Sequence, residues 1–312
     1  MKTTRISSHQ LTRRQFITAT ALAIPTLRVA EAAADSYQIG CYTRPWGAHD
    51  WRVALDAIAE AGYHYCGLMT TKAPQRLVIS ATMPLEEAAQ VGEECRKRGL
   101  TPVSVYGGGF TLKTPAEAVE GLKRLIDNVA AARSVNLLLG GTDAKGFDIY
   151  YGAVAECCDY ATQKGIGISV KPHGGANANG AECRKIIEKV GHKNFRIWYD
   201  PGNIYFYSNG NLDPVKDAAG VADLVVGMCV KDWRPANPPP AKKHPLGYGG
   251  EVSLTPGTGR VNFKAVLETL KKGGFTRGAL IVECLTGTEL PALLAEAKKA
   301  RVFLEKLTGQ KA

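Results

Sequence analysis

The chain has 312 residues, 45% of them hydrophobic and 22% charged, with a formal net charge of +10. Its cations are scattered over helical faces such as EECRKRG and AVLETLKKGG, which excludes the clustered stripe of a nucleic-acid footprint. No apolar run reaches the roughly 20 helical residues that span a bilayer, and none of the eight cysteines has C-x-x-C metal spacing.

The first feature in chain order is LTRRQFITATALAIPTLRVAEAAADS. Paired arginines, Arg13 and Arg14, precede a short apolar stretch from Phe16 to Leu27 and a small-residue cleavage site. That order is a secretory signal, and the arginine pair marks the twin-arginine route. Residues 1–34 are therefore expected to be a cleaved signal peptide, and residues 35–312 a single mature domain in the periplasm or cell envelope. Cleavage removes five cations, Lys2, Arg5, Arg13, Arg14 and Arg28, and one acid, Glu31, which lowers the net charge to +6. Proteins exported by this route generally fold in a reducing cytoplasm, so the cysteines read as buried free thiols.

From residue 37 onward one rhythm repeats. YQIGCYTRPW, YCGLMT, TPVSVYGGG and VNLLLGGT each precede an amphipathic pattern, and so do IGISVKPHGG, FRIWYDPGN, VVGMCVKDW and GALIVECL. Short continuous apolar strands separated by amphipathic helices predict parallel strands covered on both faces. Eight such units are the count and size of a (β/α)8 barrel. A doubly wound open sheet is disfavoured, because no strand runs into a Gly-x-Gly-x-x-Gly turn.

One connection is long. RPANPPPAKKHPLGYGGEVSLTPGTGR separates strand 7 from the helix NFKAVLETL, where about 2–6 residues are usual. It leaves the barrel end where active sites are built, so it is expected to act as a lid or specificity loop. The Gly-Thr-Gly at residues 257–259 offers backbone N–H groups that could hold an anion.

Polar residues end most strands. They are Arg44 and Trp46 after strand 1, Tyr106 on strand 3, Lys171 and His173 after strand 5, and Asp200 with Asn203 after strand 6. Strand 7 gives Cys229, Lys231 and Asp232, and strand 8 gives Glu283. Side chains two apart share a face, so Ser169, Lys171 and His173 point together, as do Trp198 with Asp200 and Cys229 with Lys231. A carboxylate here could equally cap a helix, and Asp-Pro-Gly-Asn suits a turn. Several ionisable groups converging on one barrel face point instead to a site.

From about Tyr37 to Leu307 the chain resembles the xylose isomerase-like superfamily, the sugar phosphate isomerase/epimerase group. His-Gly-Gly after strand 5, WYDPGN on strand 6, VKDW on strand 7 and PGTGRVNFKAVLETLKKGGFTRGALIVEC carry the resemblance. It implies a (β/α)8 TIM barrel that moves a proton next to a sugar carbonyl. It also implies a divalent metal (Mn, Mg or Zn) held by Glu, Asp, His and Glu from strands 5 to 8. Asp200 and Glu283 match two of those ligands. The strand-5 glutamate is Lys171, which has no lone pair to give a metal. The strand-7 histidine is Cys229, whose thiol is a poor companion to hard carboxylates.

Charge offers an explanation. Three carboxylates, a neutral imidazole and a divalent cation leave −1, and so do Lys171, Asp200, Glu283 and a neutral Cys229. Lys171 is thus expected to stand in the cation's electrostatic place, as an enolate stabiliser or, with a burial-lowered pKa, as a base. Glu283, Lys171 and Asp200 are the expected catalytic group. Glu283 is the expected base, since the family's strand-8 glutamate sits by the reacting carbon. His173, Asn203, Lys231, Trp46 and Tyr106 are expected to bind a small carbohydrate.

The expected function is an exported isomerase or epimerase, or a related lyase or hydrolase, of a sugar or sugar derivative. The alternative is a non-catalytic carbohydrate-binding barrel with a decayed metal site. A third class, an endonuclease IV-like nuclease on the same fold, is a poor match, because its zinc cluster needs many histidines and this chain has six. The partners implied are a small carbohydrate, no nucleic acid and no stably inserted membrane, in a monomer or an oligomer.

Overall fold

The computed structural model describes residues 36–73, 76–237 and 249–311. The signal segment expected over residues 1–34 and the apex of the long loop, residues 238–248, lie outside the described residues.

Eight parallel strands close into a barrel in sequence order, with β8 pairing back onto β1. They are β1 (Tyr37–Tyr42), β2 (Tyr65–Leu68), β3 (Thr101–Tyr106), β4 (Asn136–Leu139), β5 (Gly167–Val170), β6 (Phe195–Tyr199), β7 (Val225–Val230) and β8 (Gly278–Val282). Around them lie α1 (Trp51–Glu60), α2 (Leu85–Lys97), α3 (Pro115–Ala131), α4 (Phe147–Gln163) and α5 (Gly180–Val190). The ring continues through α6 (Pro201–Tyr207), α7 (Pro214–Ala219), α8 (Phe263–Lys272) and α9 (Leu290–Thr308). The predicted (β/α)8 barrel is therefore the fold. Among the described residues it departs from the expected rhythm at the pair α6 and α7, where a single helix was expected.

Strand alternation sorts the apolar residues into two layers. Tyr42, Val103, Leu138, Trp198, Cys229 and Ile281 fill the barrel's interior, while the opposite strand faces meet the helices in the larger outer core. Helix starts follow ordinary capping chemistry. Asp50, Thr114 and Asn179 accept the N–H of Arg52, Glu117 and Glu182 at the first turns of α1, α3 and α5. All eight cysteines are free and buried, as expected from the sequence. No described helix is long and apolar enough to cross a membrane.

Candidate functional site

Four charged residues stand one position beyond the C-terminal ends of consecutive strands: Lys171 after β5, Asp200 after β6, Lys231 after β7 and Glu283 after β8. Each lies two residues beyond an interior position (Ser169, Trp198, Cys229 and Ile281), so alternation aims all four at the barrel axis. All four are nearly inaccessible: Lys171 is 1% exposed, Asp200 0%, Lys231 3% and Glu283 2%.

They form one network. Lys171 Nζ lies 2.8 Å from Glu283 Oε2 and 3.6 Å from Asp200 Oδ2. Lys231 Nζ lies 2.7 Å from Glu283 Oε1 and 3.3 Å from Asp200 Oδ2, and donates to Asn203 Oδ1 at 2.9 Å. Arg44, on the short turn after β1, reaches Glu283 Oε1 at 3.0 Å and also contacts the Cys284 sulfur. Three cations thus face two carboxylates, an excess of one positive charge. The sequence-based sum of −1 omitted Lys231 and Arg44, and the geometry corrects it.

Asp200 serves two roles at once. Its Oδ1 accepts the Asn203 N–H at 2.9 Å and caps α6, while Oδ2 has no hydrogen-bond partner and faces the two ammoniums. The cap and the site are therefore the same residue, and Pro201 supplies the preset φ that starts the helix. Asn203 is held by donating from Nδ2 to the Pro172 carbonyl at 2.7 Å.

The electrostatics follow from burial and neighbours. Burial alone would lift the Glu283 carboxyl, but Lys171, Lys231 and Arg44 hold it well below the usual carboxylate range. Burial opposes the charge on Lys171, yet the Glu283 and Asp200 carboxylates outweigh it and its pKa rises well above the ordinary lysine value. Lys171 is therefore a permanent ammonium, and the expectation that it acts as a lowered-pKa base is withdrawn. Burial, then Lys171 and Lys231, push the His173 imidazole down to about 3, so it is neutral at pH 7. Its ring lies 5.4 Å from Tyr207 and 6.4 Å from Tyr106. Lys171 Nζ lies 5.6 Å from the Tyr106 ring centre. Trp46 is 1% exposed and packs in the outer core, and its indole N–H has no hydrogen-bond partner.

The divalent metal that the resemblance implies does not fit this donor set. Ligand atoms of Asp200, Cys229 and Glu283 do lie within 4.8 Å of one another. Burial, with the Glu283 charge beside it, pushes the Cys229 thiol up, so it stays a neutral thiol. Both ammoniums already sit on the carboxylate oxygens that would hold the ion. At an effective dielectric constant of 20, a dication about 4 Å from an ammonium is repelled by about 8 kcal/mol, and there are two.

A cavity of about 360 Å³ opens above the network, lined by Arg44, Glu283, Glu251, Ser253, Thr286 and Thr288 among others. Glu251 and Ser253 belong to the returning limb of the long loop, whose base is tied by backbone bonds between Arg234 and Glu251. The expected anion site at residues 257–259 is filled from within. Asp232 Oδ2 accepts the N–H groups of Gly257 at 2.9 Å and Gly259 at 2.8 Å, and Oδ1 those of Trp233 and Val261. Asp232 points away from the barrel axis and anchors the loop. Sequence reasoning missed Tyr207, although it lies one helical turn beyond Asn203 on α6, and missed the hydroxyls after β8.

Known proteins bear on this geometry. A family model described as Xylose isomerase-like TIM barrel matches residues 55–307. No curated protein matches the chain. Among solved structures, a xylose isomerase domain protein from Planctomyces limnophilus aligns with TM-score 0.65 at 19% identity, covering 88% of this chain and 97% of its own. A D-psicose 3-epimerase solved in the presence of D-fructose aligns with TM-score 0.64 at 14% identity, covering 87% and 99%. A xylose isomerase-like TIM barrel protein from Mycobacterium smegmatis in complex with magnesium aligns with TM-score 0.66 at 15% identity, covering 88% and 98%. Likeness this distant speaks for the fold alone. The family model, running from α1 to α9 across the closed barrel, carries the assignment: the chain belongs to the Xylose isomerase-like TIM barrel family.

Proposed function

We propose that this protein is an exported carbohydrate isomerase or epimerase that moves a proton at a carbon next to a carbonyl without a divalent metal. The observation that carries the reading is the buried group of Arg44, Lys171, Lys231, Asp200 and Glu283, with its one excess positive charge. A sugar carbonyl becomes an oxyanion when the adjacent proton leaves, and that single negative charge balances the excess. Preorganised donors of this kind are typically worth about 10²–10³ in rate each.

The residues divide the work as follows. Glu283 takes the proton from carbon and returns it to the neighbouring carbon on the same face, which is isomerisation; epimerisation at one carbon needs a second acid on the opposite face. Lys171 and Lys231 donate to the substrate oxygen. As they turn toward it they leave Glu283, and its carboxylate regains the basicity that the cations suppress. Asp200 keeps both ammoniums charged and in place. The neutral His173 orients a hydroxyl, Asn203 fixes Lys231, and the Tyr106 and Tyr207 rings offer apolar faces to the sugar. The returning limb of the long loop covers the cavity as a specificity element. D-Psicose 3-epimerase, on the same fold, gives the reaction class a precedent.

A second reading has its own observation. Both Glu283 oxygens are engaged and its pKa is depressed, which suits sugar binding without turnover. The test is proton exchange in D₂O, followed by NMR over a panel of ketoses, aldoses and uronates. The enzyme reading requires deuterium entry next to a carbonyl, lost in Glu283→Gln. Saturable binding with no exchange on any panel member would decide for the binding protein.

A further inference from the structure

The opposite, N-terminal end of the barrel holds a second cavity, of about 340 Å³, that the proposed reaction does not use. Barrel floors are ordinarily filled by layers of bulky branched side chains. Here Gly167 begins β5 and Ala279 is the second residue of β8, and both line open space. Arg196 faces that space. It precedes Trp198 by two positions on β6, and Trp198 belongs to the interior cluster. Lys193 adds a second cation at the rim. Neither has an ion-pair partner among the described residues, and no carboxylate lines the cavity.

The upper wall is the ring of Trp198, which is 2% exposed. A half-buried guanidinium without a counterion is costly, and it is relieved by one kind of occupant, an acceptor-only group with negative charge. The volume equals that of about ten waters, enough for such an ion and a residual hydration shell.

We propose that this floor cavity binds a small multivalent oxyanion, with Arg196 as its principal ligand and Lys193 at the rim. Phosphate and a small dicarboxylate share this chemistry, and separate titrations tell them apart.

The experiment is isothermal titration of the purified protein with inorganic phosphate and, separately, with malonate, at constant ionic strength set with chloride. Wild type should bind at least one of the two saturably, at one site per chain, and that anion identifies the source. Arg196→Gln should weaken binding about ten- to hundredfold, the usual worth of a charge-assisted hydrogen bond. Gly167→Val should weaken it by narrowing the space. A Cβ at Gly167 meets nothing nearer than 3.6 Å, and a cooperative melting transition checks that the variant is folded. Lys171→Met should leave binding intact, which separates the floor from the positively charged mouth. No saturable binding of either anion overturns the proposal. So does binding that is indifferent to Arg196→Gln and Gly167→Val, or binding that is lost with Lys171→Met.

Discussion

Replacing Lys171 with Met tests whether the central network is one electrostatic unit. Lys171 Nζ lies 2.8 Å from Glu283 and 3.6 Å from Asp200, and all three groups are at most 2% exposed. Removing one partner of a buried ion pair typically costs about 3–5 kcal/mol, because the other charge stays buried and uncompensated. After Lys171→Met, Glu283 keeps Lys231 and Arg44, so the cost should fall near 3 kcal/mol. Glu283→Gln leaves two ammoniums on Asp200 alone, so its cost should be nearer 5 kcal/mol. For a domain of this size about 1 kcal/mol corresponds to about 2 °C in Tm, so the drops should be about 6 °C and 10 °C. The double variant removes opposite charges together and should fall short of the sum by about 1–3 kcal/mol. Thermal and urea unfolding of the four proteins gives the cycle. A Tm for Lys171→Met within 1 °C of wild type, or strict additivity in the double variant, would refute the reasoning.

Three further outcomes are expected. His173 titrates near 6.5 when unfolded and about 3 when folded. As pH falls below 6.5 only the unfolded chain gains this proton, so its contribution is lost, by about 2 kcal/mol at pH 5. His173→Gln should flatten that part of the stability–pH curve, and parallel curves for the two proteins would show that the imidazole is not suppressed. Asp232→Ala orphans four backbone N–H groups and should cost at least about 2 kcal/mol, with faster hydrogen exchange at Gly257, Gly259 and Val261. Unchanged exchange there would mean the loop does not depend on this carboxylate. A reporter fused to residues 1–34 should reach the periplasm and should stay inside when Arg13 and Arg14 both become Lys. Continued export of that variant contradicts the twin-arginine route.

The barrel was legible because buried parallel strands leave unbroken apolar runs, and eight of them alternate with amphipathic helices. Period two then carried the reading from the strands to the site, since it aims Lys171, Asp200, Lys231 and Glu283 at one axis. It also explains Asp232. One residue beyond Lys231, it must face the other way, where it meets the glycine N–H groups that looked free in the sequence. What alternation cannot reach stayed hidden. Arg44 lies on a turn, and its pairing with Glu283 spans the closure between β1 and β8. The excess charge depended on that long-range contact and on the direction of Lys231. Trp46 ends the same turn, yet its bulk packs into the outer core.

The central claim, that ammonium groups hold the place of the family's divalent ion, is tested most directly by elemental analysis of the purified protein. Paired with it is D₂O exchange before and after exhaustive chelation. The account predicts no stoichiometric divalent metal and exchange unchanged by chelator, with added manganese giving no stimulation. One tightly held divalent ion per chain, or exchange that disappears on chelation and returns with manganese, would contradict it.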